Sequence, residues 1–285
     1  MAVKREAPAV PMIDRAGRVP WWALIVISTG LFLFYLILSD ANYHDTFNYI
    51  RTGVIVTLRI TLIAFPIATV IGLITGLMRT SKNQVLFTIA TLYVEVIRGI
   101  PMVVLVLMFA FAIVPIYVDT VKLIGGWGLE NFGEQTLGGF FTGLSEYSIR
   151  TISMELRFVI AIAVGYGAFE AEIFRAGIQS ISKGQMEAAR SLGMSYFQSM
   201  RFIILPQAIR RVLPPLGNDF IAMLKDSSLA TVLAVNELTQ LTRLRRASTF
   251  RVMEAFNVAA FLYLSMTLFL SAGVRLLEQR MRIEE

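Results

Sequence analysis

The chain has 285 residues, of which 56% are hydrophobic and only 16% charged, with a mean hydropathy of +0.66. Soluble domains carry roughly 45–50% apolar and about 25% charged residues, which excludes a water-exposed globular enzyme as the leading reading. The net charge of +6 sits on short basic stretches between apolar runs. That is a pattern of membrane topology and not of a nucleic-acid-binding face. With no cysteine and only His44, disulfides, thiolate nucleophiles, histidine metal clusters and histidine-based triads are excluded as well.

Taken in chain order, Trp21 to Ser39 is an uncharged apolar run of 19 residues preceded by Lys4, Arg5, Arg15 and Arg18. It exceeds the roughly 7–15 residues of a secretory h-region and suffices to cross a core of about 30 Å, so it reads as a retained anchor. Further apolar spans are predicted at 52–78, 85–117 and 156–178, then an interrupted one at 212–235 and a last one at 256–276. The expected fold is an all-α polytopic membrane protein with about six transmembrane helices. His44, beside Asp45, is expected in a short external loop as a solvated side chain.

Six spans put both termini on one side, and lysine and arginine counts orient them. With the N-terminus inside, fifteen basic residues face inward, eight face outward, and Arg59, Arg98 and Lys225 fall within spans, which accounts for all 26. The bias predicts cytoplasmic tails at 1–20 and 279–285 and a bacterial inner-membrane location. Thr242-Arg-Leu-Arg-Arg246 is the exception, an external segment as basic as any internal one. Outside the membrane the longest stretch, 118–155, is acidic and glycine-rich. It is expected to be a loop holding at most short interfacial helices, and it is too small for a catalytic domain.

The informative segment is the loop 181–206. Ser182-Lys-Gly-Gln185 fits a capping box that starts a short helix, and Gly193 follows where a left-handed residue would stop it. Ser195-Tyr-Phe-Gln198 fits a second capping box, and Leu205-Pro206 is expected to end the second helix. Two short helices joined at a glycine elbow are predicted on the basic side, with Glu187 in the first turn favoured by the helix dipole. A structured connector is the plain alternative. The string Glu187-Ala188-Ala189, three residues, Gly193, nine residues, Ile203, one residue, Leu205-Pro206 resembles the EAA signature of ABC importer permeases. Tyr93 to Pro101, Gly167 to Ile178, Lys225 to Leu229 and Asn236 to Leu238 resemble the polar amino-acid uptake branch of that family, and the likeness covers roughly Thr52 to Leu276.

That resemblance implies a five-helix type I importer core at 52–278, with 21–39 as an added N-terminal helix. The loop 181–206 would dock on a separate ATPase through Glu187, Ala188, Ala189, Gly193, Leu205 and Pro206. The alanines would permit close helix approach, and Glu187 would pair with a donor on the partner. No G-x-x-x-x-G-K-[ST] phosphate loop is present, so ATP and Mg belong to that partner and no cofactor is expected on this chain. The other implied partners are a second permease subunit, identical or paralogous, an extracytoplasmic solute-binding protein, the amino-acid substrate and the lipid membrane, but no nucleic acid. The chain is expected to perform no covalent chemistry.

Ionisable residues at membrane depth face cavities or partners. Glu95 and Arg98 are three apart and share a helical face. Glu170 and Glu172 are two apart and point about 200° away from each other. Two readings of Glu172 stay open: an ion pair with Arg98 or Arg175 that fixes packing, or a contact by Glu172 or Glu170 with the α-ammonium of a passing amino acid. Asp226, beside Lys225, is either a packing ion pair or a gate lining. Arg59 reads as snorkelling at the external interface, and Gly72-x-x-x-Gly76 offers a close-packing stripe to a neighbouring helix or a second subunit. The substrate path is therefore expected among Glu172, Glu170, Glu95, Arg98 and Asp226, and no metal site is expected. The alternative is an ion-coupled secondary transporter using the same acids; it leaves the Glu187–Pro206 string unexplained.

Overall fold

The computed structural model describes residues 21–281, so the tail expected at 1–20 and residues 282–285 of the tail expected at 279–285 lie outside the described residues. Among these residues there are helices and turns and no strand. Helix α1 (Trp21–Ser39) leads through Asp40 into α2 (Ala41–Ile50), then α3 (Thr52–Arg79) and α4 (Gln84–Gly99). Helix α5 (Met102–Met108) runs through a π turn at Phe109–Ile113 into α6 (Val114–Ser145). Helix α7 (Met154–Gln179) precedes two short helices, α8 (Lys183–Ser191) and α9 (Tyr196–Ser199). A second π turn at Met200–Ile204 feeds α10 (Leu205–Asp226). A 3₁₀ segment at Ser227–Leu233, α11 (Leu238–Thr249) and α12 (Val252–Met281) complete the chain.

Among the described residues four stretches are long and apolar enough to cross a membrane: Trp21–Ser39, Ala41–Arg79, Met102–Phe132 and Val252–Leu277. The expected fourth and fifth spans are also helices, α7 and α10, but both carry charged side chains (Glu170, Glu172 and Arg175 on α7; Arg210, Arg211 and Asp219 on α10). The bundle is built around the α3–α7 pair. Gly72 and Gly76 bring these helices together, because a Cβ on Gly72 would lie 2.7 Å from Glu170 Cβ, and one on Gly76 would lie 2.8 Å from the Ala171 carbonyl oxygen. The core continues this economy of size: Ala64, Ala68, Ala161 and Ala163 are fully buried beside Ile60, Phe158, Ile162 and Met223. Where lipid removes the hydrophobic drive between helices, small residues let backbones approach and dispersion holds them. The stripe thus serves a neighbouring helix of the same chain.

Several local expectations are corrected. The apolar run 85–117 is not one helix: Ile100, preceding Pro101, is extended at φ −102° and ψ 132°, as a residue before proline tends to be. His44 lies on α2 and not in a loop, capped at Asp40, whose carboxylate accepts from the Asn42 and Tyr43 amides at 2.8 and 3.1 Å. The stretch expected as a glycine-rich loop is mostly α6, which doubles back on itself. Gly125 lies against Leu144 and Ser145, and Gly128 against the Phe141 ring. A straight helix would hold residues 125 and 145 about 30 Å apart, so the element is a helical hairpin, and the glycines that lower its propensity are what let its arms touch.

Arg157, one of the eight basic residues expected to face outward, is buried at 7% exposure. It donates to the carbonyls of Ile152, Ala110 and Ile149, each at 3.0 Å. Ala110 sits in the first π turn, where widening frees carbonyls from the regular ladder; one guanidinium therefore ties that turn to the 3₁₀ segment that introduces α7. Arg59 is held by Glu155 through two bonds of 2.8 and 2.6 Å at the same end of the bundle. The basic segment 242–246 lies on α11, where Arg245 pairs with Asp45 and stacks on Tyr49.

Candidate functional site: the two-helix loop and the charges behind it

The loop begins at α8. Ser182 flanks its start, but its side chain makes no capping bond; the Gln185 amide instead reaches the Ser182 carbonyl at 3.1 Å. The first capping box is therefore absent, because that carbonyl closes the turn which the hydroxyl was expected to cap. The other end is as expected. Gly193 has φ +82°, its amide bonds the Arg190 carbonyl at 3.0 Å, and the Met194 amide bonds the Ala189 carbonyl at 3.2 Å. This pair of bonds is the Schellman arrangement, which requires a left-handed residue.

The second capping box is formed in full: the Gln198 amide donates to Ser195 Oγ at 3.2 Å, and the Ser195 amide donates to Gln198 Oε1 at 2.8 Å. Leu205-Pro206 does not end this helix. The π turn at Met200–Ile204 widens the spiral just ahead of Pro206. That relieves the clash a proline ring makes with the carbonyl four residues back, and the chain continues as α10.

The loop divides its residues between two environments. Ala189 is buried at 4%, and Ile181, Ile204 and Ala208 form a small core that fixes the loop to the bundle. Glu187, Ala188 and Gly193 are exposed. Around them Leu192 and Phe197 are 84% and 83% exposed, with Tyr196 and Phe202 also largely exposed. Leu205 and Pro206 lie at the exposed entrance to α10. Only one of the two alanines thus faces outward; the other is spent on the chain's own packing.

Behind the loop lies an ion network. Glu172 accepts from Arg79 at 2.7 Å and from Arg175, and Arg79 also reaches Glu95 at 3.5 Å. Glu172 and Glu95 are thereby joined through Arg79 at the end of α3. Glu172 and Arg175 pair as one of the open readings held. Arg98 makes no ion pair among the described residues and lies 5.5 Å over the Phe169 ring. Arg211 of α10 donates to the Ser180 carbonyl at 2.5 Å, tying α10 to the exit of α7.

Glu170 faces the opposite way from Glu172, as its spacing requires. It is fully buried, and among the described residues neither carboxylate oxygen has a hydrogen-bond partner. Asp226 accepts from the Tyr166 hydroxyl at 2.9 Å, and Asp219 has one buried oxygen without a partner. Asp219 and Tyr166 were missed from sequence. An acid inside a span interrupted by Pro214, Pro215 and Gly217 was the available signal for Asp219; Tyr166 had none, since an aromatic in an apolar run reads as core.

Residues 68–283 match the family described as the binding-protein-dependent transport system inner membrane component. The chain belongs to this family. Among its relatives is the probable glutamine ABC transporter permease protein GlnM of Bacillus subtilis, 38% identical over 237 residues, covering 83% of this chain and 95% of that one. The glutamine transport system permease protein GlnP of Escherichia coli K12 is 36% identical, covering 81% and 92%. The arginine transport system permease protein ArgU of Corynebacterium glutamicum is 33% identical, covering 92% and 79%. Among solved structures, one titled as the crystal structure of an amino acid ABC transporter with histidines aligns at a TM-score of 0.66 and 35% identity, over 86% of this chain and 98% of that one. An inward-facing structure of the MetNI methionine ABC transporter shares the fold at a TM-score of 0.59 and 17% identity. This permease is thus an all-α inner-membrane component of a binding-protein-dependent system, and in that family ATP hydrolysis lies in a separate subunit.

Proposed function

We propose that this chain is the membrane-spanning permease subunit of an ATP-driven importer of polar amino acids. The observation that carries the reading is the exposed two-helix loop of α8 and α9. It combines a rigid glycine elbow, an outward Glu187–Ala188 edge and bare Leu192 and Phe197 on the element that bears the Glu187–Gly193–Pro206 string. Exposed aromatic and aliphatic side chains are what a partner subunit covers, and the Glu187 carboxylate beside them calls for a donor on that partner. In this reading Glu187, Ala188, Ala189, Gly193, Leu205 and Pro206 form the coupling element, and movement of the ATPases on nucleotide binding rocks the bundle between two faces. Relatives named for glutamine and arginine transport support an amino-acid substrate. Two copies of this permease, or this chain with a paralogue, would line the path. Both tails would be cytoplasmic, in keeping with the lysine and arginine count.

The charges take separate roles. Glu172 with Arg79, Arg175 and Glu95 holds α3, α4 and α7 in register beside the coupling element. Glu170 is the candidate for the substrate α-ammonium, because a buried carboxylate without a partner is costly unless function retains it. Arg98 and Asp226 remain assigned to the path. The deciding experiment is purification of this chain from its native membrane in mild detergent with identification of the co-purifying proteins. The expected companion is a soluble subunit bearing a phosphate loop, lost when Glu187–Gly193 is mutated. Recovery of the chain alone, with uptake following an ion gradient, would support the secondary transporter instead.

A further inference from the structure

Apart from its base, the α6 hairpin packs on neither the coupling element nor the α3–α7 core. Its base is fixed: Val114 and Val118 pack on Ile152, with Tyr147 and Ile149 alongside. Beyond Val118 the first arm continues for about 21 Å of helix to Phe132. Across the two arms Phe132 stacks on Phe141 at 5.8 Å, and within the first arm Trp127 lies edge-on to Phe132 at 5.7 Å. This cluster is preformed, yet Trp127, Phe132 and Phe140 are 57%, 52% and 63% exposed and Leu123 is 74% exposed. Exposed residues of this kind, rigid and with few rotamers to freeze, lose little entropy when a partner covers them.

Charge and position select the occupant. From Val118 to Ser148 the sequence carries Asp119, Glu130, Glu134 and Glu146 against one base, Lys122. A helix that lies on a bilayer is basic on its polar face, since anionic lipid repels acids; this hairpin has the opposite sign. It also leaves the bundle at the Arg59–Glu155 end, remote from α8 and α9, where the ATPase would bind. The family is binding-protein-dependent, and a binding protein reaches a permease from the face opposite its ATPase. We infer that the α6 hairpin is a docking arm for the extracytoplasmic solute-binding protein, its aromatic cluster seated in an apolar depression rimmed by lysine or arginine. The inference rests on the importer reading above.

The test uses the whole transporter recovered in that purification, reconstituted in vesicles of phosphatidylethanolamine and phosphatidylglycerol, with the solute-binding subunit that accompanies it as the probe. ATP hydrolysis is followed against the concentration of that subunit. Trp127→Ser with Phe140→Ser is expected to raise the half-maximal concentration at least tenfold while leaving basal hydrolysis unchanged. Asp119→Lys with Glu130→Lys alters only exposed carboxylates, spares the aromatic contacts, and is expected to do the same. Unchanged half-maximal concentrations in both variants would overturn the inference while leaving the importer reading intact. So would strong quenching by brominated phospholipid of a fluorophore placed through Trp127→Cys in vesicles lacking the binding subunit, because the occupant would then be lipid. A wild-type transporter that ignores the binding subunit altogether would remove the importer reading first.

Discussion

At the scale of single residues, backbone conformation at Gly193 and burial at Glu170 generate the sharpest expectations. A β-branched side chain in the left-handed region costs about 1–3 kcal/mol. Nothing lies within 4 Å of a Cβ built at Gly193, so the strain there is backbone strain alone. Gly193→Val is therefore expected to insert and accumulate normally but to lose uptake per ATP hydrolysed; wild-type uptake would refute the role of the elbow. The two glutamates separate packing from transport. Glu172→Gln removes the charge and one of the two acceptor oxygens shared by Arg79 and Arg175, weakening charge-assisted bonds worth about 1.5–3 kcal/mol each, and should lower the detergent Tm. Glu170→Gln replaces a buried, unpartnered carboxylate by a neutral isostere and should leave Tm unchanged or higher while lowering uptake. Equal losses of Tm in both variants would show that Glu170 is a structural residue.

At the scale of elements, close approach and clamping decide stability. Gly72→Leu would drive a side chain into Glu170 and the Ala171 amide, and no rotamer escapes a backbone contact. Separation of α3 from α7 follows, read as loss of monodisperse protein on size-exclusion chromatography. Arg157→Met would leave three carbonyls without their donor, a loss of several kcal/mol by the same charged-bond scale. A fall in Tm with Arg157→Lys lying between is expected, since lysine keeps the charge but not the planar fork. An unchanged Tm in Arg157→Met would mean that the π turn needs no clamp.

At the scale of the whole molecule, a chain free of cysteine lets the proposed orientation be tested by single thiols. Lys82→Cys and Glu130→Cys place single thiols at opposite ends of the bundle. An impermeant maleimide is expected to label Glu130→Cys in intact cells and Lys82→Cys only after permeabilisation. The reverse pattern would invert the topology and remove the hairpin from the binding-protein side. Arg245 with Asp45 and Arg243 with Thr231 at 3.0 Å anchor the basic helix α11. These contacts give that segment local partners, which is how it would sit on the outer side in the proposed orientation.

The sequence by itself determined the helical membrane class, the glycine elbow at Gly193, the capping box at Ser195 and the opposition of Glu170 to Glu172. Each depends on composition or on spacing within a few residues, where propensity and helical period govern. Tertiary structure decided what depends on partners far along the chain. Arg79 joins Glu172 and Glu95 across 93 and 16 residues; Arg157 folds inward onto Ala110; the glycines of 125–128 become contact points between two arms and not loop formers; and Pro206 is carried through by a π turn. In every such case local preference was weak, and a long-range contact of a few kcal/mol outweighed it. Burial supplied the last distinction, since only the packed bundle shows that Ala189 is held inside and Ala188 is left facing out.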